Sequence, residues 1–127
     1  MVVDPGDGAP GKAKKTFDLE ERTAKYGEAI VKFCKEVQLT PITTPLVSQL
    51  VRSATSVGAN YLEATDSESK KDFRHKIALC RKESKETKHW LRMLVAAEAK
   101  HRDSAAALWK EATELNLNFG AILRKQL

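Results

Sequence analysis

The sequence predicts an all-α protein, an antiparallel up-down-up-down four-helix bundle, and three observations point there. Apolar residues recur at alternating steps of three and four along four successive stretches, the spacing of helices that each bury one stripe. The chain of 127 residues is rich in Lys, Glu, Ala and Leu and only 6% aromatic, a balance that favours helices over sheets. The breaks between stretches are short, and short connections make sequential helices antiparallel neighbours. No strand alternation and no internal repeat competes with this pattern.

Residues 1–15, MVVDPGDGAPGKAKK, hold three glycines, two prolines and three lysines. Such a segment has too little apolar surface to offset the entropy of ordering, so a disordered tail is expected there, ahead of a bundle domain spanning residues 16–127. The first helix is expected from about Leu19 to Gln38, with Thr23, Tyr26, Ile30, Phe33 and Val37 on its stripe. LTPITTP ends it. Thr44 is the expected N-cap of the second helix, with Pro45 at the first helical position, where a missing amide proton is no loss. The second stripe is Val47, Leu50, Ala54, Val57 and Tyr61.

In TDSESKKDF, Ser69 and Asp72 stand three apart as in a capping box, with Asp in place of the usual Glu. The third helix then extends to about Lys100 on the stripe Phe73, Ile77, Cys80, Ser84, Thr87, Leu91 and Leu94. Past KHRDS, the fourth carries Ala105, Leu108, Ala112, Leu115, Phe119 and Ile122. Cys34 falls beside a stripe and Cys80 on one, and both are expected as buried free thiols, since two cysteines make no disulfide framework in such a chain.

The net charge of +5 suits an acidic partner but by its sign alone decides little. Its distribution says more. Residues 67–102 contain eleven Lys or Arg against five Asp or Glu. Lys70, Arg74, Arg81, Lys85, Lys88 and Arg92 project within about 80° of one another at about 100° per residue, in a row beside the core stripe. They are the candidate nucleic-acid-binding residues, acting through phosphate contacts. The competing reading is a solvated helix face partly compensated by Glu83 and Glu86. No aromatic-rich stacking platform or RNA-binding signature accompanies the row, so sequence-specific readout is not expected.

The stretch QLVRSATSVGANYLEA builds a helix from mediocre helix formers, and a glycine inside a helix costs about 1 kcal/mol relative to alanine. Close approach of a neighbour is the expected compensation. Gln49, Arg52, Ser53, Ser56, Asn60 and Glu63 form a row of polar side chains, mostly short, beside the apolar stripe, and Gly58 removes bulk nearby. Trp90, Met93 and Ala97 lie off the third core stripe, and Trp109 and Leu117 off the fourth. Apolar arcs this wide suggest a surface for a second copy. The expected interface is Gln49, Arg52, Ser53, Ser56, Gly58, Asn60, Glu63, Trp90 and Trp109; alternatively the two tryptophans cap the ends of the bundle interior.

Enzyme classes find little support. Two Glu-x-x-His spacings occur, Glu86 to His89 and Glu98 to His101, but di-iron chemistry needs such pairs on two helices pointing inward. Both lie on or just after one helix. There is no Gly-rich phosphate loop, Cys/His metal spacing or nucleophile elbow, so no catalytic residue, metal or cofactor is expected. No signal peptide and no apolar run of about 20 residues is visible, which makes a cytoplasmic location without a membrane partner the expectation.

The motif Gln49-Leu50-x-Arg52-Ser53-Ala54, then Ser56-Val57-x-Ala59-Asn60 and Glu63, continued by Lys71, Phe73, Ile77-Ala78, Ser84 and Glu86, resembles a known family. It is the four-helix-bundle family of proteins encoded in intervening sequences of bacterial 23S rRNA genes, and the likeness spans roughly residues 16–125. Ala64-Thr65 departs from the glycine that usually follows the family's Glu, and Gly58 is a further departure. The resemblance implies a homopentamer around a central channel, no enzymatic activity, and kinship with retroelement accessory proteins that work with a reverse transcriptase and nucleic acid. The expected function is a non-enzymatic homo-oligomer that binds RNA or DNA non-specifically through the third helix. The alternative is a protein-interaction scaffold or accessory subunit, for example for a reverse transcriptase, without direct nucleic-acid binding.

Overall fold

The computed structural model describes residues 11–125, and among them are four α-helices and no strand. Helix α1 is Gly11–Lys35, α2 Thr43–Thr65, α3 Lys70–Ala97 and α4 Arg102–Lys125, with a 3-10 turn at Ala99–His101 between the last two. The all-α expectation holds. Of the expected tail, residues 1–10 lie outside the described residues, and residues 11–15 fall within α1, where lysine and alanine are good helix formers.

The junctions have local chemical causes. The last turn of α1 tightens through bonds from Glu36 N to Phe33 O at 3.0 Å and from Val37 N to Cys34 O at 3.1 Å. The start of α2 differs from expectation. LTPITTP contains two Thr-Pro steps, and the first one is used: Thr40 Oγ1 accepts from the amides of Ile42 at 3.1 Å and Thr43 at 3.0 Å. Pro41 follows the capping oxygen and Thr44 N donates to Thr40 O at 2.9 Å. The buried Thr43 hydroxyl locks this choice, donating to Gln38 O at 2.7 Å and accepting from Thr40 N at 2.8 Å. Ser69 does cap α3, its side chain accepting from Asp72 N at 3.0 Å. Glu98 leaves helical geometry, so α3 stops at Ala97, short of Lys100.

The core follows the four stripes. Thr23, Tyr26, Ile30, Phe33 and Val37 are buried with Leu50, Ala54, Val57 and Tyr61, with Ile77, Cys80, Leu91 and Leu94, and with Ala105, Ala112, Leu115 and Phe119. Val47, Phe73, Leu108 and Ile122 pack partly buried against them. Both cysteines are buried free thiols; burial pushes Cys34 up to about 11 and Cys80 up to about 12, which leaves little reactive thiolate at neutral pH. The buried hydroxyls are satisfied at helix contacts: Thr87 Oγ1 and Ser53 Oγ lie 3.0 Å apart across α2 and α3.

Partners between helices run in opposite order. On α2 and α3, Arg52 meets Glu83 and Glu86 whereas Glu63 meets Lys76. On α3 and α4, Arg74 meets Leu123 whereas Arg81 meets Asn116. On α1 and α4, Arg22 binds Glu111 in a fork at 2.7 and 2.9 Å while the Tyr26 hydroxyl donates to Leu108 O at 2.9 Å. The α2–α3 contact is the broadest and α1–α4 the thinnest of these.

Candidate nucleic-acid interface

Each of Arg74, Arg81, Lys85, Lys88 and Arg92 follows a core residue of α3 by one position, and this phase sets the basic row along the seam between α3 and α4. Lys70, Arg81, Lys85 and Arg92 are exposed. The other two are partly committed. Arg74 is half-buried and donates to Leu123 O at 2.7 Å, tying down the end of α4. Lys88 holds its Nζ 4.0 Å from the centre of the Trp109 ring. Among the described residues no ion pair joins the row to a carboxylate.

Glu83 and Glu86, the acids expected to compensate the row, lie on the opposite flank of α3. Arg52 of α2 reaches between them, bonding Glu83 at 3.2 Å and Glu86 as well, with its Nε on Gln49 Oε1 at 3.0 Å. Trp90 Nε1 donates to Glu86 at 3.1 Å. That indole bond, with Arg52 adding to it against the effect of burial, holds the Glu86 carboxyl below the usual carboxylate range. The acids of α3 therefore serve the α2 side and leave the α4 side cationic.

The residues expected to meet a second copy are divided by the structure. Ser53 is 0% exposed, sealed between α2 and α3 on Leu50 O and Thr87. Gly58 faces α1 of the same chain: a Cβ there would lie 3.4 Å from Thr23 Oγ1 and 3.5 Å from its carbonyl. Ser53 and Gly58 thus serve contacts inside one molecule, and the close approach inferred from the small residues is that of α1 to α2. Helical periodicity shows that a face carries small side chains but not which neighbour it meets. Gln49, Arg52, Ser56, Asn60 and Glu63 line the α2–α3 edge, where Asn60 Nδ2 donates to Ser56 O at 2.9 Å and Glu63 pairs with Lys76 at 2.6 Å. Trp90 is half-buried against the core.

Two features were not read from the sequence. A groove of about 700 Å³ runs between α1 and α2, floored by Gly27, Thr55, Gly58 and Ala59 and flanked by Val31 and Leu62, which are 39% and 52% exposed. The second is Trp109. The residue is 42% exposed, and its ring stands against the basic row rather than among the polar residues of α2. The only signal for that juxtaposition was the expected antiparallel run of the third and fourth helices, which brings position 109 level with 88.

The Glu-x-x-His spacings do not converge. Glu86 is engaged by Arg52 and Trp90, His89 is exposed with its ring 4.9 Å from Trp90, and His101 lies edge-on to Phe33 at 5.5 Å. Among the described residues no group of three or more His, Cys, Asp or Glu is placed to hold a metal ion, and no helix is long and apolar enough to cross a membrane.

A family model described as 23S rRNA-intervening sequence protein matches residues 15–119. Among solved structures, the crystal structure of a protein with unknown function from the S23 ribosomal protein family of Bacteroides thetaiotaomicron is similar. It superposes with a TM-score of 0.76 at 27% identity, covering 87% of this chain and 98% of that one. No curated protein matches.

Proposed function

This chain belongs to the 23S rRNA-intervening sequence protein family, and from that premise we propose that it is a non-enzymatic, homo-oligomeric bundle that binds RNA or DNA through α3 without reading sequence. One observation carries the reading: Lys70, Arg81, Lys85 and Arg92 stand exposed in line while Glu83 and Glu86 are taken up by Arg52. Over 22 residues at about 1.5 Å each the row is about 33 Å long, enough to follow several phosphates. The family's name, which refers to an intervening sequence of 23S rRNA, is consistent with a nucleic-acid setting.

The antiparallel up-down-up-down arrangement belongs to this reading and is supported by the opposite order of partners between helices. So does assembly, a pentamer by the resemblance drawn from the sequence. Exposed Val31 and Leu62 beside the α1–α2 groove, and Leu39 and Ile42 in the connection between those helices, support a second-copy surface on that side. Gln49, Arg52, Ser56, Asn60 and Glu63 adjoin it. Copies in a ring would repeat the basic row and multiply modest phosphate contacts by avidity. A cytoplasmic location fits the same reading. The same exposed apolar side chains favour a second reading, a scaffold or an accessory subunit, for instance of a reverse transcriptase, that touches protein and not nucleic acid.

A salt titration of labelled RNA and DNA separates the two. Binding should weaken steeply with salt, and changing Arg81, Lys85 and Arg92 together to Glu should lower affinity at least tenfold and flatten the salt slope by about 2–3. No salt-dependent binding leaves only the scaffold, and full binding by the triple variant removes the basic row of α3 as the binding surface. Light scattering that finds a monomer at every concentration removes the assembly.

A further inference from the structure

We propose that the α3–α4 seam around Trp109 is a site for single-stranded nucleic acid, in which the indole stacks an unpaired base and Arg92 and Arg102 hold the flanking phosphates. The inference rests on the reading of α3 as a nucleic-acid surface and names the strand form that surface takes. Trp109 is 42% exposed, a large apolar ring left on the surface beside a row of cations. It walls a small cleft of about 260 Å³ whose apolar lining comes from Leu91, Val95 and Ala105 and whose rim carries Arg92 and Arg102. Both arginines are exposed. A third cation, Lys88, sits over the ring at 4.0 Å. Among the described residues Lys88 has no carboxylate partner, so its ammonium can move from the ring to a phosphate as a base arrives.

This combination distinguishes single strands from duplex. In a duplex the base faces are covered by their neighbours and only phosphate, sugar and groove edges can be touched, which the exposed lysines and arginines of α3 already suit. An exposed indole adds nothing to that contact. An unstacked base, by contrast, offers a free π-face to any aromatic wall whatever its identity, and alternation of aromatic surface with guanidinium groups matches alternation of base with phosphate. The site therefore selects strand form without selecting sequence.

The test uses the full chain with a labelled 20-nucleotide poly(U) RNA and a labelled 20-base-pair RNA duplex at low salt. Trp109→Ala should weaken the single strand about tenfold and leave the duplex within about twofold, while Trp109→Phe, which keeps an aromatic face, retains most of the affinity. In a Trp90→Phe background, emission from Trp109 should be quenched by poly(U) and not by the duplex. If both ligands bind with salt dependence but Trp109→Ala and Trp109→Phe change neither, or change both equally, the single-strand site is wrong and the phosphate-binding row stands. If neither ligand binds in a salt-dependent way, both ideas fall together. Should Trp109→Ala lose helical content, the Trp109→Phe and quenching results decide alone.

Discussion

Gly58 shows what one missing side chain does here. The atoms it faces belong to Thr23, and a methyl group would meet them at ordinary contact distance, whereas anything longer would enter α1. Gly58→Ala should therefore be neutral or stabilising by up to about 1 kcal/mol, the helix propensity gained, while Gly58→Leu should lose about 1–3 kcal/mol through overpacking. Urea unfolding of the two variants checks the contrast, and equal losses would show that the helices are closer than described. Glu86 gives a second residue-scale outcome. Its carboxyl is held below the usual range in the folded chain by Trp90 and Arg52, so the folded state binds its proton less readily than the unfolded one. Its contribution is complete above the ordinary carboxylate value and fades as pH falls through the lowered one. Glu86→Gln should accordingly reduce the loss of melting temperature on acidification; an unchanged pH profile would mean the bond network adds nothing. The sequence marked Gly58 as a point of close contact and Glu86 as a charge near the basic row. It did not show their partners, because each choice of neighbour depends on how the helices are rotated against one another.

At the scale of elements, the helices and their buried faces were legible almost residue by residue, since a stripe at steps of three and four leaves one way to hide the apolar side chains. Boundaries were less so. The two Thr-Pro steps around the start of α2 are chemically equivalent in the sequence, and only the burial of Thr43, which also binds Gln38 O, makes Thr40 the capping residue. Thr40→Ala should therefore destabilise the protein by about 1 kcal/mol and Thr44→Ala by much less; the reverse ranking in thermal melts would restore the second step as the cap. The α1–α4 pairing is held by few groups, chiefly the Tyr26 hydroxyl on Leu108 O and the Arg22–Glu111 fork. Burial, with Glu111 adding to it, pushes the Tyr26 phenol upward and keeps it a neutral donor. Tyr26→Phe leaves the Leu108 carbonyl without that donor and should raise amide exchange along α1 before that along α3. Uniform exchange in both helices would argue against a weaker seam.

For the whole molecule, the sequence supplied the basic row on α3 and the expectation of a second contact surface, in which it counted Ser53 and Gly58. Both are engaged within the chain, while Val31 and Leu62 are among the apolar side chains left exposed and flank a groove that forms only when α1 meets α2. Trp109 was likewise visible as an off-stripe residue, yet its place beside Lys88 needs the packing of α3 on α4 to be known. Features confined to one helix could be read; features shared by two could not.

The grip of Arg52 on Glu83 and Glu86 also bears on how the molecule travels toward a ligand. With those acids drawn to one flank and Arg81, Lys85, Lys88 and Arg92 left on the other, the flank of α3 beside α4 is the more positive one. A polyanion at a distance would turn the molecule to present that flank before any contact forms, so that collisions are productive more often than random tumbling allows. Arg52→Met would leave the two acids unneutralised and lower the net positive charge by one, slowing capture at low ionic strength while leaving the rate of escape nearly unchanged.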